Sequence, residues 1–342
     1  MENQDPDVVH LNDWHTGLAL AWINCPTVYT IHTLGYQGQA DPSWLGVIGT
    51  ERAGAFERHG AINPAAGAIS LADAIVAVSP NYAEEILDPA RSFGLHSLLD
   101  QRADDLVGIL NGIDAGVWDP AADPLLPEPY SARKLGPKTK STTALRRRAG
   151  WKGTTTPIIG MVTRLADQKG IDLALGLVPY LEGIEARLVL LGSGEERFSL
   201  WARELAAEYP DRFAFFEGYD TELAHLIFAG ADLLAMPSRF EPCGLAQMQA
   251  MAYGTIPVVT AVGGLVDTVI DDDATFGEGN GFVAHSVELA GMVDAVHRAV
   301  RAWQDPGRRR QIRQRGMKVD WSWTEPADRH VELYRQLVAA HG

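Results

Sequence analysis

The chain has 342 residues, of which 46% are hydrophobic and 21% charged, the balance of a globular protein long enough for two domains and a sizeable core. With 44 acidic residues against 29 Lys and Arg, the net charge of −15 repels nucleic acid and disfavours anionic membranes. No run approaches eighteen consecutive apolar residues, residues 1–7 lack the basic-then-apolar pattern of a signal peptide, and Cys25 and Cys243 show no paired spacing for disulfides or zinc, so the reading is of a cytoplasmic protein with reduced thiols.

Residues 7–11 (DVVHL) predict a strand, followed by a loop at Asn12 and Asp13 and a helix over 14–23. A second strand is predicted over 27–32, then a loop carrying Gly35 and Gly38, a helix over 64–72, a strand over 74–78, a helix over 82–87 and a strand over 107–110. Buried strands alternating with helices indicate a parallel α/β sheet. From 120 to 140 the composition turns to Pro, Ser, Thr and Lys, which reads as an interdomain linker, with the boundary near Trp151. The alternation then restarts: strands over 157–162, 187–191, 213–216, 233–236 and 256–260, separated by helices over 171–177, 198–208, 222–229 and 245–252, a second doubly wound domain. The last stretch, 289–337, reads as mostly helical, and the basic run from Arg308 to Arg315 reads as a solvated helix face.

In such folds ligands bind beyond the carboxyl ends of the strands, so residues just after predicted strands are the candidates. Arg164 and Lys169 leave one strand end five residues apart and could grip a diphosphate, concentrating the cations that an acidic protein needs to hold an anion; taken alone, exposed cations are more commonly in ordinary salt bridges. Glu241 follows the strand over 233–236 and could hydrogen-bond a sugar or balance positive charge at an anomeric carbon, or could serve only as a helix-start acid. Gly263 and Gly264, between a strand and a helix start, would let backbone N–H groups approach a phosphate, or merely make a tight connection. Tyr219 could stack on a base or be a core tyrosine, and Asn111 sits in a polar turn at a strand end. His15 and His32 flank the first strands, where hydroxyl contact or proton handling competes with a structural role. Cys243 reads as packed or lining a cleft rather than as a nucleophile.

Together the runs NDWHTGL, HTLGYQG, AVSPNYAEEI, ILNGID, TRLADQKG, LGSGEE, SRFEPCGLAQ and GGLVDTV resemble, in the same order and over nearly the whole chain, the signature stretches of bacterial glycogen synthases and plant starch synthases. The resemblance implies a GT-B fold: two Rossmann-like α/β domains facing a cleft, a first and incomplete one over 1–150, a nucleotide-sugar domain over 151–320, and a C-terminal helix over 321–342 returning to the first. It implies a retaining glucosyltransferase that moves glucose from ADP-glucose, sometimes UDP-glucose, to the nonreducing end of an α-1,4-glucan, with no metal or other cofactor. It further implies that Arg164 and Lys169 hold the diphosphate, that Glu241 is the essential acid, that Tyr219 meets the adenine, and that Asn12, His15, His32, Asn111, Cys243, Gly244, Leu245, Gly263 and Gly264 line the substrate site.

Three departures accompany the resemblance. Asn12 stands where bacterial relatives carry a donor-contacting His, and it cannot carry a proton at neutral pH. Val262 replaces the usual Thr before the Gly-Gly pair. The strand and Lys-Thr-Gly-Gly-Leu loop that open the family are not in this sequence, so the expectation is an exposed sheet edge and weak activity of this chain alone.

Overall fold

The computed structural model describes residues 6–153, 156–275 and 277–341, and the chain divides into two compact units, residues 1–111 with 323–342 and residues 112–322. In the first unit the strands are β1 (Val9–Asn12), β2 (Thr27–Ile31), the short antiparallel hairpin β3 (Glu57–Arg58) and β4 (Ala61–Ile62), β5 (Ala74–Ala77) and β6 (Leu106–Gly108). The main sheet is parallel, ordered β1-β2-β5-β6, with Val28 beside Ala74 and Ile75 beside Leu106. Every residue of β2 and β5 is buried, which is why both read as unbroken apolar or β-branched runs. Two helix starts carry the signals that make them legible. Asn63 Oδ1 accepts from the Ala66 N–H and Ser79 Oγ from the Tyr82 N–H, each followed by proline in the first turn, and the helices run Pro64–Leu71 and Pro80–Glu85.

The second unit carries β7 (Ile158–Val162), β8 (Arg187–Gly192), β9 (Phe213–Glu217), β10 (Leu233–Met236), β11 (Ile256–Thr260) and β12 (Phe282–Ala284), all parallel, in the order β12-β11-β10-β7-β8-β9. Its largest core packs Ile159, Leu188, Leu190 and Val258 of the sheet against the helices Ile171–Gly176, Glu196–Glu208 and Leu289–Gln304. No helix among the described residues is long and apolar enough to cross a membrane.

The structure departs from the sequence reading in two places. The packing division falls at residues 111/112 and 322/323, not near Trp151, because the segment read as a linker folds onto the second unit. There Tyr130 is buried with its hydroxyl donating to the Tyr253 carbonyl at 2.8 Å. Lys138 Nζ, also buried, donates to the Ala229 carbonyl at 2.7 Å and to Thr255 Oγ1 at 2.8 Å, and it begins a helix, Lys138–Arg148. The last helix, Thr324–His341, groups with the first unit by setting Leu333, Tyr334 and Leu337 on Val28, Val76 and Ile109. The basic run is not a solvated face: in helix Pro306–Lys318, Arg308 and Arg315 pair with the buried Asp272 and Arg313 pairs with Asp232.

Candidate active site

Strand order locates the site before any side chain is considered. β8 and β9 lie on one side of β7, and β10, β11 and β12 on the other, so the chain leaves β7 and β10 in opposite directions and a crevice opens beyond their carboxyl ends. A pocket of about 340 Å³ occupies that crevice, lined by Arg164, Lys169, Ser238, Glu241, Gly244 and Leu245 among others. Five of the residues singled out in sequence thus meet in one place: two cations from the segment after β7, and an acid, a turn glycine and Leu245 from the segment after β10.

The two segments are joined along their length. The Arg239 N–H donates to the Gln168 carbonyl at 2.9 Å, and Gln168 Nε2 returns a bond to the Phe240 carbonyl at 3.0 Å. The Arg239 guanidinium grips Asp172 through two parallel bonds of 2.7 Å, a bidentate geometry that orients as well as attracts, and it holds the Asp172 carboxyl below its ordinary pKa. Lys169 Nζ meets Glu241 Oε2 at 2.6 Å, and Ser238 Oγ donates to the same oxygen at 3.0 Å. Glu241 is 5% exposed, so its carboxylate depends on these donors for the solvation that water would otherwise give. Arg164 remains exposed at the rim.

Glycines allow this closeness. Gly170 has φ +62°, and a Cβ there would run into the Pro237 carbonyl, so the turn after Lys169 can lie on the segment after β10 only without a side chain. Gly263, at φ +46° and ψ −136°, faces the Glu241 carbonyl in the same way, and the Gly264 N–H donates to that carbonyl at 3.1 Å. The Gly-Gly pair therefore braces the backbone of the acid; its short helix is Gly264–Thr268, and neither glycine lines the pocket. Cys243 is buried and is in no disulfide among the described residues. Val262 is buried in the core that also holds Leu234 and Val259. Tyr219 is 92% exposed after β9, which excludes the core alternative, and it does not line the pocket.

The other candidates belong to the first unit. Asn12 and His32 stand at the carboxyl ends of the neighbouring strands β1 and β2, and Asn12 Oδ1 accepts from His32 Nε2 at 2.8 Å. Asp13, held at φ +55°, accepts from the His32 N–H at 2.8 Å and so fixes the turn. His15 is exposed, its ring stacked on Trp14 at 4.0 Å, and Asn111 is half-buried at the end of the unit. Sequence reasoning passed over Ser238, Arg239, Gln168, Asp172 and Asp13. All lie inside or beside the motif runs already singled out, so adjacency was their only signal.

Residues 1–101 match the family described as starch synthase catalytic domain, and residues 144–319 match glycosyl transferases group 1. A glycogen synthase of Anaeromyxobacter sp. is 44% identical over 98% of this chain and 74% of its own length, and one of Cellvibrio japonicus is 41% identical over 98% and 72%. Among solved structures, the catalytic domain of starch synthase IV from Arabidopsis thaliana, bound to ADP and acarbose, superposes with a TM-score of 0.91 at 32% identity, covering 98% of this chain and 74% of that one. The α/β architecture is that of the GT-B glycosyltransferases, and the chain belongs to the glycogen and starch synthase family.

Proposed function

We propose that this glycosyltransferase moves glucose from ADP-glucose to the nonreducing end of an α-1,4-glucan with retention of configuration, and that the pocket beyond β7 and β10 holds the sugar diphosphate. The observation that carries the reading is the Lys169–Glu241 contact of 2.6 Å inside a pocket that Arg164 also lines. As the anomeric C–O bond breaks, its electron pair goes to the departing diphosphate, and the Arg164 and Lys169 donors stabilise that growing charge. The acceptor hydroxyl forms the new C–O bond on the same face and passes its proton to the departing phosphate. Glu241, fixed by Lys169 and Ser238, is assigned to balance positive charge on the glucose or to hold its hydroxyls.

Tyr219 is assigned the adenine, its exposed ring offering a stacking face. Acceptor recognition is assigned to the first unit, where Asn12, His15 and His32 supply polar groups. A pocket of about 460 Å³ there sets Tyr36 and Phe93, both exposed, around Trp14 with the amides of Gln37 and Gln39, a mixture of ring faces and hydrogen-bonding groups suited to pyranose rings.

Transfer of radiolabelled glucose from ADP-glucose to glycogen, compared with Glu241→Ala, tests the reading. Incorporation that falls at least a hundredfold in the variant supports it. Binding of ADP-glucose without transfer by either protein would instead mark a nucleotide-sugar binder.

A further inference from the structure

A second cationic pocket lies in the larger unit, away from the strand ends that form the first. It has a volume of about 400 Å³ between the loop over 132–136 and the helix Pro306–Lys318, and Arg133, Lys134, Arg309, Arg310 and Arg313 line it. Five of the chain's 29 Lys and Arg thus gather in one concavity of a protein whose net charge is −15. Arg313 pairs with Asp232 at 2.7 Å; among the described residues, the other four make no ion pair. Asp232 immediately precedes β10, so Arg313 is anchored at the amino ends of the strands, opposite the edge that carries Glu241.

The walls are held in place rather than floating. Gln314 Nε2 donates to the Ala132 carbonyl at 3.0 Å and ties the loop to the helix. The Arg309 guanidinium lies over the Trp303 ring at 4.7 Å and donates to the Trp303 carbonyl at 2.9 Å. Arg313 Nε is buried with no hydrogen-bond partner, a donor left unsatisfied by the protein. Burial, and next the Arg313 guanidinium, hold the Arg309 pKa below its ordinary value, an effect that Asp232 and Asp305 nearby offset only in part. Like charges kept this close by packing lose their mutual repulsion when an anion sits between them.

We propose that this pocket is a binding site for a small phosphate-bearing anion, separate from the sugar-diphosphate site. The concave shape and the acidic whole-protein field select a compact anion over a polyanion such as nucleic acid. Forked guanidiniums match the geometry of phosphate oxygens, which favours a phosphate group over a spherical halide.

Calorimetric titration with inorganic pyrophosphate at fixed ionic strength tests the site. In the Arg133→Ala/Arg310→Ala protein, both substitutions being at exposed positions, one saturable equivalent seen in the unaltered chain weakens at least tenfold while the thermal midpoint stays put. The same equivalent persists in Lys169→Ala, whatever that substitution does to the first pocket. An isotherm for Arg133→Ala/Arg310→Ala that overlays the unaltered one, or loss of the same equivalent in Lys169→Ala, overturns the proposal. If the double variant fails to fold, Arg310→Gln alone is read by the same two criteria.

Discussion

Lys169→Ala separates the structural and chemical roles of the pocket. Glu241 and Lys169 side chains are 6% and 19% exposed and touch at 2.6 Å. Removing one partner of a buried pair costs about 3–5 kcal/mol because the other charge is stranded. Here Ser238 Oγ still donates to Glu241 and the pocket admits water, so about 2–3 kcal/mol is the expected loss. In a unit spanning residues 112–322 that lowers the thermal midpoint by roughly 5–10 °C. On the proposed role of Lys169 as a donor to the departing phosphate, transfer should fall about 10²–10³-fold in kcat. Chemical denaturation of Lys169→Ala, Glu241→Ala and the double variant closes a thermodynamic cycle. The double variant should be more stable than the sum of the singles by at least about 1 kcal/mol, because neither charge is then left alone. Effects that simply add, within about 0.5 kcal/mol, would refute the pairing on which the site rests.

Gly170→Ala should destabilise by about 3 kcal/mol or more, since φ +62° is costly for alanine and the new Cβ meets the Pro237 carbonyl; an unchanged denaturation midpoint would show that the two segments do not lie this close. Arg239→Lys keeps the charge but cannot reproduce the bidentate grip on Asp172, so kcat should fall about tenfold with a modest stability loss, and a kinetic profile equal to the unaltered enzyme would remove Arg239 from a positioning role. In the first unit, burial, and then His330 and His32, hold the His10 pKa down to about 4 from 6.5. The unfolded chain therefore takes up that proton first, so this contribution to stability is complete above pH 6.5 and lost as pH falls toward 4. Because the ring is half-buried, screening reduces it to about 1–2 kcal/mol. Thermal midpoints across that window should fall less steeply in His10→Gln, and parallel slopes would sink the assignment.

Some features were legible in residue order because they are local. Unbroken apolar runs such as TVYTI and AIVA announced buried parallel strands, and Asn63-Pro64 and Ser79-Pro80 announced helix starts. Since ligands of doubly wound sheets bind past the strand ends, reading the residues just after each strand was enough to single out Arg164, Lys169 and Glu241. The short strand β12 gave too few residues for a period to show, and it was missed.

What residue order could not decide are pairings between distant segments. Whether Lys169 and Glu241 point into one pocket depends on β7 and β10 being neighbours, and that adjacency comes from a crossover that sets Ile159 beside Leu233 and Gly160 beside Leu234, from strands three apart in sequence order but side by side in the sheet. Residues 120–140 are polar enough to read as a linker, yet the carbonyls of Ala229 and Tyr253 supply partners that let Tyr130 and Lys138 be buried. The same holds for the basic run, whose ion pairs with Asp232 and Asp272 exist only once helix and sheet are packed. Local pattern determined what this chain is built from; long-range contact decided which of its charges are buried, paired or left to face an anion.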